Sequence, residues 1–160
     1  MKVSSTLRFR APARQVSDMM VSPSFQEMIG QGLKASECST VAEPDAITST
    51  YLIPTSDTLR LVAAGQSKLI GHLRWTTPLV DGRRQGDILL EVEHFPSRFS
   101  GTVYLAQQGE YTTVTYDADV TVDVPLVGGK LERKIGELTV QILNAGQAMG
   151  EQWLAARAAA

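Results

Sequence analysis

The sequence predicts an α+β fold in which an antiparallel sheet is covered by one long C-terminal helix. Two periodicities in the last third of the chain carry this prediction. Over residues 111–124 apolar and polar residues alternate, as expected for a strand with one buried face. After the segment 125–129, apolar residues recur at three- and four-residue steps, which is typical of one face of a helix. These are Val127, Leu131, Ile135, Leu138, Ile142, Ala145, Met149 and Trp153.

The rest of the chain supplies two short helices and further strands. Alternation predicts a first strand over residues 3–10, and two short helices follow, one through Val16 and Met19 and one through Phe25 and Ile29. Period-two patterns then predict strands near residues 37–42, 48–53, 70–77, 88–93 and 98–105. Residues 54–61 fit either a loop or a short helix, and Asp81-Gly82 marks a turn. Short connections of this kind favour a meandering antiparallel sheet.

The terminal helix is the only predicted element long enough to cover the apolar face of this sheet. We expect four residues of the last strand to be buried under Leu131, Ile135, Leu138 and Ile142 of this helix: Val114, Tyr116, Val120 and Val122. A curved sheet closed by such a helix can enclose a cavity. A plain two-layer sandwich without a cavity fits the same periodicities. The patterns alone leave both arrangements open.

Composition limits the function classes. The chain of 160 residues fits one domain, 1–160, and 43% of its residues are apolar. A net charge of −2 argues against a nucleic-acid-binding surface. Two His and one Cys cannot compose a metal-ligand cluster, so we expect no metal and no cofactor. We find no signal-peptide pattern and no transmembrane run, and we expect a cytoplasmic protein.

The order of elements resembles the START-like or helix-grip superfamily, also called SRPBCC or polyketide cyclase-like. Its members wrap a seven-stranded antiparallel sheet around a long C-terminal helix. Within it, Trp75, Phe95-Pro96 and the run 124–132 (Val-Pro-Leu-Val-Gly-Gly-Lys-Leu-Glu) resemble a bacterial family of unknown function. The resemblance implies a fold and a pocket for apolar ligands. It implies no reaction, because the same fold serves carriers, receptors, cyclases, dehydratases and co-chaperones.

Nine residues form the predicted ligand site. Four have polar tips and inward parity, and we expect them to orient a ligand: Tyr51, Trp75, His94 and Tyr116. The other five contribute wall and free volume: Val103, Ile142, Ala145, Gly146 and Met149. Trp75 also fits the role of a core filler, and His94 that of a surface residue.

The glycines of the terminal helix allow two interpretations. Gly146 and Gly150 fall near its apolar stripe, where each costs roughly 1 kcal/mol relative to Ala. Their small size permits either close approach to the sheet or free volume for a ligand.

From these observations we expect binding, with transport or sensing as the purpose, of a small hydrophobic or amphipathic ligand between sheet and helix. One alternative is an enzyme of the polyketide cyclase or dehydratase type, for which His94 is the only acid-base candidate. Another is a co-chaperone-like interaction domain. No protein partner is indicated.

Overall fold

The computed structural model describes residues 1–54, 66–126 and 128–158. Most of the segment that the sequence leaves ambiguous lies outside these ranges, as does Val127 of the predicted helical stripe. The side chain of Leu138, another member of that stripe, is outside the description as well.

Within the described ranges, the elements follow the predicted order of strand, two short helices, six strands and a long helix. They are β1 (Lys2–Phe9), α1 (Ala13–Met20), α2 (Pro23–Gly32), β2 (Glu37–Glu43), β3 (Ala46–Pro54), β4 (Gln66–Trp75), β5 (Arg83–Val92), β6 (Ser97–Gln108), β7 (Tyr111–Val122) and α3 (Gly128–Ala158).

Among the strand boundaries that differ from the prediction, two strands end two residues early. The last strand ends at Val122, and Val124 instead packs beside Phe95 and Leu131 in a small apolar cluster. The strand predicted to reach residue 77 ends at Trp75. Beyond Trp75, the backbone N–H groups of Thr76 and Thr77 both donate to the carbonyl of Gln85, at 2.9 and 3.2 Å. Because two donors share one acceptor, the regular pairing of the strands is interrupted.

The strands form one seven-stranded antiparallel sheet in the order β1-β7-β6-β5-β4-β3-β2. Strands β2 to β7 form a meander. The chain ends this meander with β7 beside β1, which forms the edge of the sheet opposite β2. The predicted turn at Asp81-Gly82 is confirmed: both residues have positive φ, 52° and 72°, as a type I′ hairpin turn requires. Val80 and Arg83 close it with two backbone hydrogen bonds of 3.1 and 3.0 Å.

Helix α3 packs mainly on β1 and β7. Its orientation is fixed by Gln147, whose side-chain amide accepts a hydrogen bond from the Arg8 N–H at 2.8 Å and donates one to the Arg8 carbonyl. Asn144 accepts a hydrogen bond from the Ser5 hydroxyl at 2.6 Å. Because these contacts join the helix to the backbone and side chains of an edge strand, they set its position over the sheet.

The strand residues predicted to lie under α3 are buried, which confirms the helix-grip arrangement. They are Val114, Tyr116, Val120 and Val122. Leu131 packs beside Val122, and Ile135 packs against the main core.

The predicted helical stripe is wrong at Ala145, which is exposed. After Ile142, the next position of α3 that faces the sheet is Gly146, which follows four residues later. Ala145, three residues after Ile142, faces away from the sheet. Buried positions of α3 follow this phase: Leu131, Gly136, Thr139, Gly146, Gly150 and Trp153. Among the described helices, none is sufficiently long and apolar to cross a bilayer.

Candidate functional site: a cavity under the long helix

A cavity of about 170 Å³ lies between the sheet, α2 and α3. Helix α3 covers one edge of the sheet at β1 and β7, and α2 covers the other edge at β2 and β3. Helix α1 contacts one end of β4 and β5, where Ser17 accepts hydrogen bonds from Trp75 and Arg84; in the described part of the chain no helix packs closely on the rest of these two strands. The middle of the concave face is therefore left uncovered, and the cavity occupies this space.

The walls of the cavity are mainly aliphatic. Representative wall residues are Ile29, Ile47, Leu73, Ile88, Leu90 and Ile142. Left dry, 170 Å³ of empty space would cost about 4 kcal/mol at ~24 cal/mol per Å³. That is a large part of the roughly 5–15 kcal/mol that stabilises a typical domain. A molecule that fills the cavity would therefore stabilise the fold.

Two tyrosines face the cavity from different strands. Tyr51, on β3, donates a hydrogen bond to Gln26 Oε1 at 2.7 Å, and Gln26 in turn donates to the Met20 carbonyl at 3.1 Å. Burial raises the pKa of Tyr51 to about 12; the nearby Ser49 hydroxyl opposes this rise and Cys38 adds to it. Tyr116, on β7, is buried, and this burial raises the pKa of its hydroxyl strongly. Both phenols are neutral near pH 7.

Ser49 is a cavity residue that the sequence reasoning missed. It lies on β3 with 2% of its surface exposed, and its Oγ makes no hydrogen bond to any residue that the structure describes. Its neighbours of the same parity, Ile47 and Tyr51, are buried and also line the cavity. A serine between two apolar residues of the same strand face was the sequence feature that could have indicated a polar group at the cavity.

The two helical glycines have different surroundings. A Cβ on Gly146, which lines the cavity, would meet only Leu7 Cδ1 at 3.6 Å. A Cβ on Gly150 would lie 2.4 and 2.8 Å from two ring carbons of Phe9 and 3.2 Å from Met19 Cε. Gly146 therefore borders free volume, and Gly150 permits close packing of helix against sheet.

Four of the nine predicted site residues line the cavity: Tyr51, Tyr116, Ile142 and Gly146. Trp75 and Val103 point inward but lie in the packed core, 4% and 0% exposed. The Trp75 indole donates to the Ser17 carbonyl at 3.3 Å, so it fills the core beneath α1. Met149 is half-buried, and its thioether lies against Gly32 of α2. Ala145, being exposed, lies away from the cavity.

The predicted inward orientation of His94 is wrong. Its side chain is 90% exposed, and Nε2 lies 2.9 Å from Glu93 Oε1. His94 has a φ of 61° in the turn after β5, so the alternation that runs through Ile88, Leu90 and Val92 does not continue to it. The acid-base group that the enzymatic alternative required is therefore not at the cavity.

The family model described as "Protein of unknown function (DUF2505)" matches residues 4–154. The chain belongs to the DUF2505 family. No curated protein matches it.

The DUF2505 chain resembles several solved structures over nearly its whole length. A Thermus thermophilus protein is 17% identical, with a TM-score of 0.69, and the match covers 98% of this chain and 99% of that one. A START superfamily protein from Mycobacterium smegmatis is 18% identical, with a TM-score of 0.60, over 95% of this chain and 98% of that one. The family member thus has the START-like helix-grip fold.

A third similar structure is a STAR-related lipid transfer protein (fragment 25–204) from Xanthomonas axonopodis. It is 13% identical, with a TM-score of 0.60, and the match covers 91% of the DUF2505 chain and 82% of that chain. At this identity the likeness establishes a shared fold.

Proposed function

We propose that this DUF2505 protein binds a small hydrophobic or amphipathic molecule in the cavity between the sheet, α2 and α3. The observation that carries the proposal is the cavity of about 170 Å³ with mainly aliphatic walls, left where β4 and β5 extend beyond their contact with α1 and no described helix packs closely on them. Burial of apolar ligand surface there is worth roughly 25 cal/mol per Å².

The size of the cavity limits the ligand or the part of it that is enclosed. An apolar cavity of about 150 Å³ accommodates benzene. A volume of about 170 Å³, partly open to solvent, suits a molecule of one to two rings or an equivalent aliphatic segment. A neighbour with the same fold is named a lipid transfer protein, which supports an apolar ligand class.

Naphthalene is a suitable first probe, since it is rigid, uncharged and fluorescent. We expect saturable binding to the wild-type protein and weaker binding, by at least about tenfold, to Gly146→Leu. The new side chain starts 3.6 Å from Leu7 Cδ1, an ordinary contact distance, and extends into the cavity. The thermal unfolding midpoint of Gly146→Leu should be close to that of the wild type, because leucine has a higher helix propensity than glycine and the new side chain displaces no rigid neighbour.

Ala145→Leu is the matched control, because it adds the same side chain at the neighbouring exposed position of α3. It should bind naphthalene as the wild type does. Absence of saturable binding to the wild type would refute the proposal. An equal loss of naphthalene affinity in Gly146→Leu and Ala145→Leu would place the probe outside the cavity and would refute the proposal as well.

A further inference from the structure

The Ser49 hydroxyl is a buried polar group without a protein partner. Ser49 is in the middle of β3 and lines the cavity, and 2% of its surface is exposed. Its Oγ has no hydrogen-bond partner among the described residues. Buried hydroxyl groups are normally hydrogen-bonded, and an unpaired one lowers stability. Such a group facing an apolar cavity therefore needs a partner from outside the protein.

The groups around Ser49 leave its hydroxyl available. On β4 its cross-strand neighbour is Gly71, which has no side chain to cover it. The Tyr51 hydroxyl is near enough for Ser49 to moderate its pKa, but no hydrogen bond of regular geometry joins the two. Tyr51 instead donates its proton to Gln26 Oε1 at 2.7 Å, and Gln26 is held by a second bond to the Met20 carbonyl. Because the Tyr51 proton is taken up by Gln26, Tyr51 donates no hydrogen bond to Ser49, and the Ser49 hydroxyl can pair with a ligand.

Among the described residues that line the cavity, none on the inward face of the sheet or helices carries a charge. Tyr116, on β7, also lines the cavity and is buried. The cavity wall includes two residues with basic side chains, His72 and Arg98, and no acidic residue in the part of the chain described. Arg98 and His72 both lie on the outward face of their strands. Arg98 is exposed, and His72 Nδ1 lies 3.1 Å from Thr48 Oγ1. No described cation therefore lies on the inward face of the sheet, where the Ser49 hydroxyl is.

We infer that the ligand carries an uncharged oxygen group, a hydroxyl or a carbonyl, and that Ser49 binds this group. The inference rests on the proposed function and adds the ligand's chemical class and its orientation. The polar end would lie at β3 and the apolar body against the aliphatic walls. A carboxylate of the same size is disfavoured, because it would lose its hydration without gaining a cation.

Three probes of one shape test this: naphthalene, 2-naphthol and 2-naphthoate. On the wild type, 2-naphthol should bind more tightly than naphthalene, and 2-naphthoate should bind most weakly. Ser49→Ala should reduce 2-naphthol affinity by about 2- to 12-fold, the factor for one hydrogen bond, and leave naphthalene affinity unchanged. Its thermal unfolding midpoint should be unchanged or higher, because an unpaired buried hydroxyl is removed.

Ser100→Ala is the matched control, since Ser100 lies on the outer parity of β6, opposite Leu89 of β5. It should leave all three affinities unchanged. If naphthalene binds but 2-naphthol affinity is the same in Ser49→Ala and wild type, the polar anchor is wrong while the cavity proposal stands. Tighter binding of 2-naphthoate than of 2-naphthol would also overturn the inference, as would clear destabilisation by Ser49→Ala. Failure of naphthalene to bind would instead refute the proposed function.

Discussion

Gly146 and Gly150 are one turn apart on the buried face of α3, yet they meet different parts of the molecule. Beside Gly150 the sheet contributes Phe9 and α1 contributes Met19, both about 1% exposed, and helix and sheet are in close contact. Beside Gly146 only Leu7 approaches, and the space continues into the cavity.

The comparison shows that residue type alone does not assign a role to a helical glycine. What decides it is the neighbour that a Cβ would meet. One region of the helix–sheet interface is packed like an ordinary core, and the adjacent region retains free volume. The first region supplies stability, and the second is where a ligand can be accommodated.

The largest expected difference between the packed core of the molecule and the cavity wall concerns a buried charge. Val120→Asp, at a fully buried position of the sheet, should lower the free energy of unfolding by several kcal/mol, because the carboxylate is desolvated without a partner. Val92→Asp, on the cavity wall and half-buried, should cost clearly less, since water reaches it. Urea denaturation at neutral pH measures both. Equal losses would mean that the cavity wall is as tightly closed as the core.

Alkaline pH tests whether the cavity is dry around Tyr51. The pKa of its hydroxyl is raised by burial from 10 to about 12, so the folded state disfavours phenolate. This difference in pKa contributes about 3 kcal/mol to the free energy of unfolding. The contribution is fully present below pH ~10, where the unfolded state is also protonated, and is lost as the pH rises through ~12. Tyr51→Phe should therefore show a shallower alkaline loss of stability than the wild type. Tyr104→Phe, at a tyrosine with 43% exposure, is the control and should retain the wild-type profile; identical profiles for both variants would contradict a dry site.

The smallest expected effects come from the glycines themselves. Gly150→Ala should lower stability by about 1–2 kcal/mol, because overpacking against the Phe9 ring exceeds the gain in helix propensity. Gly146→Ala should raise stability by up to about 1 kcal/mol, because its methyl group meets no close neighbour. Thermal unfolding of the two variants gives the sign of each effect. Equal signs would remove the distinction between the two regions.

Sequence periodicity predicted the fold well, because burial of one strand face and one helix stripe is encoded residue by residue. The alternation around Tyr116 and the helical spacing around Ile135 placed the long helix over the correct strand. The same reasoning could not choose between Ala145 and Gly146, since both are one turn from Ile142.

Periodicity predicts which face a side chain takes, and the cavity depends on which part of that face is covered. Trp75 and Val103 have the correct inward parity but lie where helix and sheet are fully packed. His94 was misplaced because a residue with positive φ ends the alternation of β5. Ser49 was overlooked because a short polar residue resembles ordinary strand variation until its neighbours are known.

Intermolecular nuclear Overhauser effects between naphthalene and methyl-labelled protein report which side chains surround the bound probe. If the cavity is the binding site, we expect contacts with methyl groups of cavity residues such as Leu7, Ile88 and Ile142, and none with those of Val16 or Val103 in the packed core. Contacts with the core methyl groups, or with the exposed Val41 alone, would contradict the assignment of the cavity as the binding site.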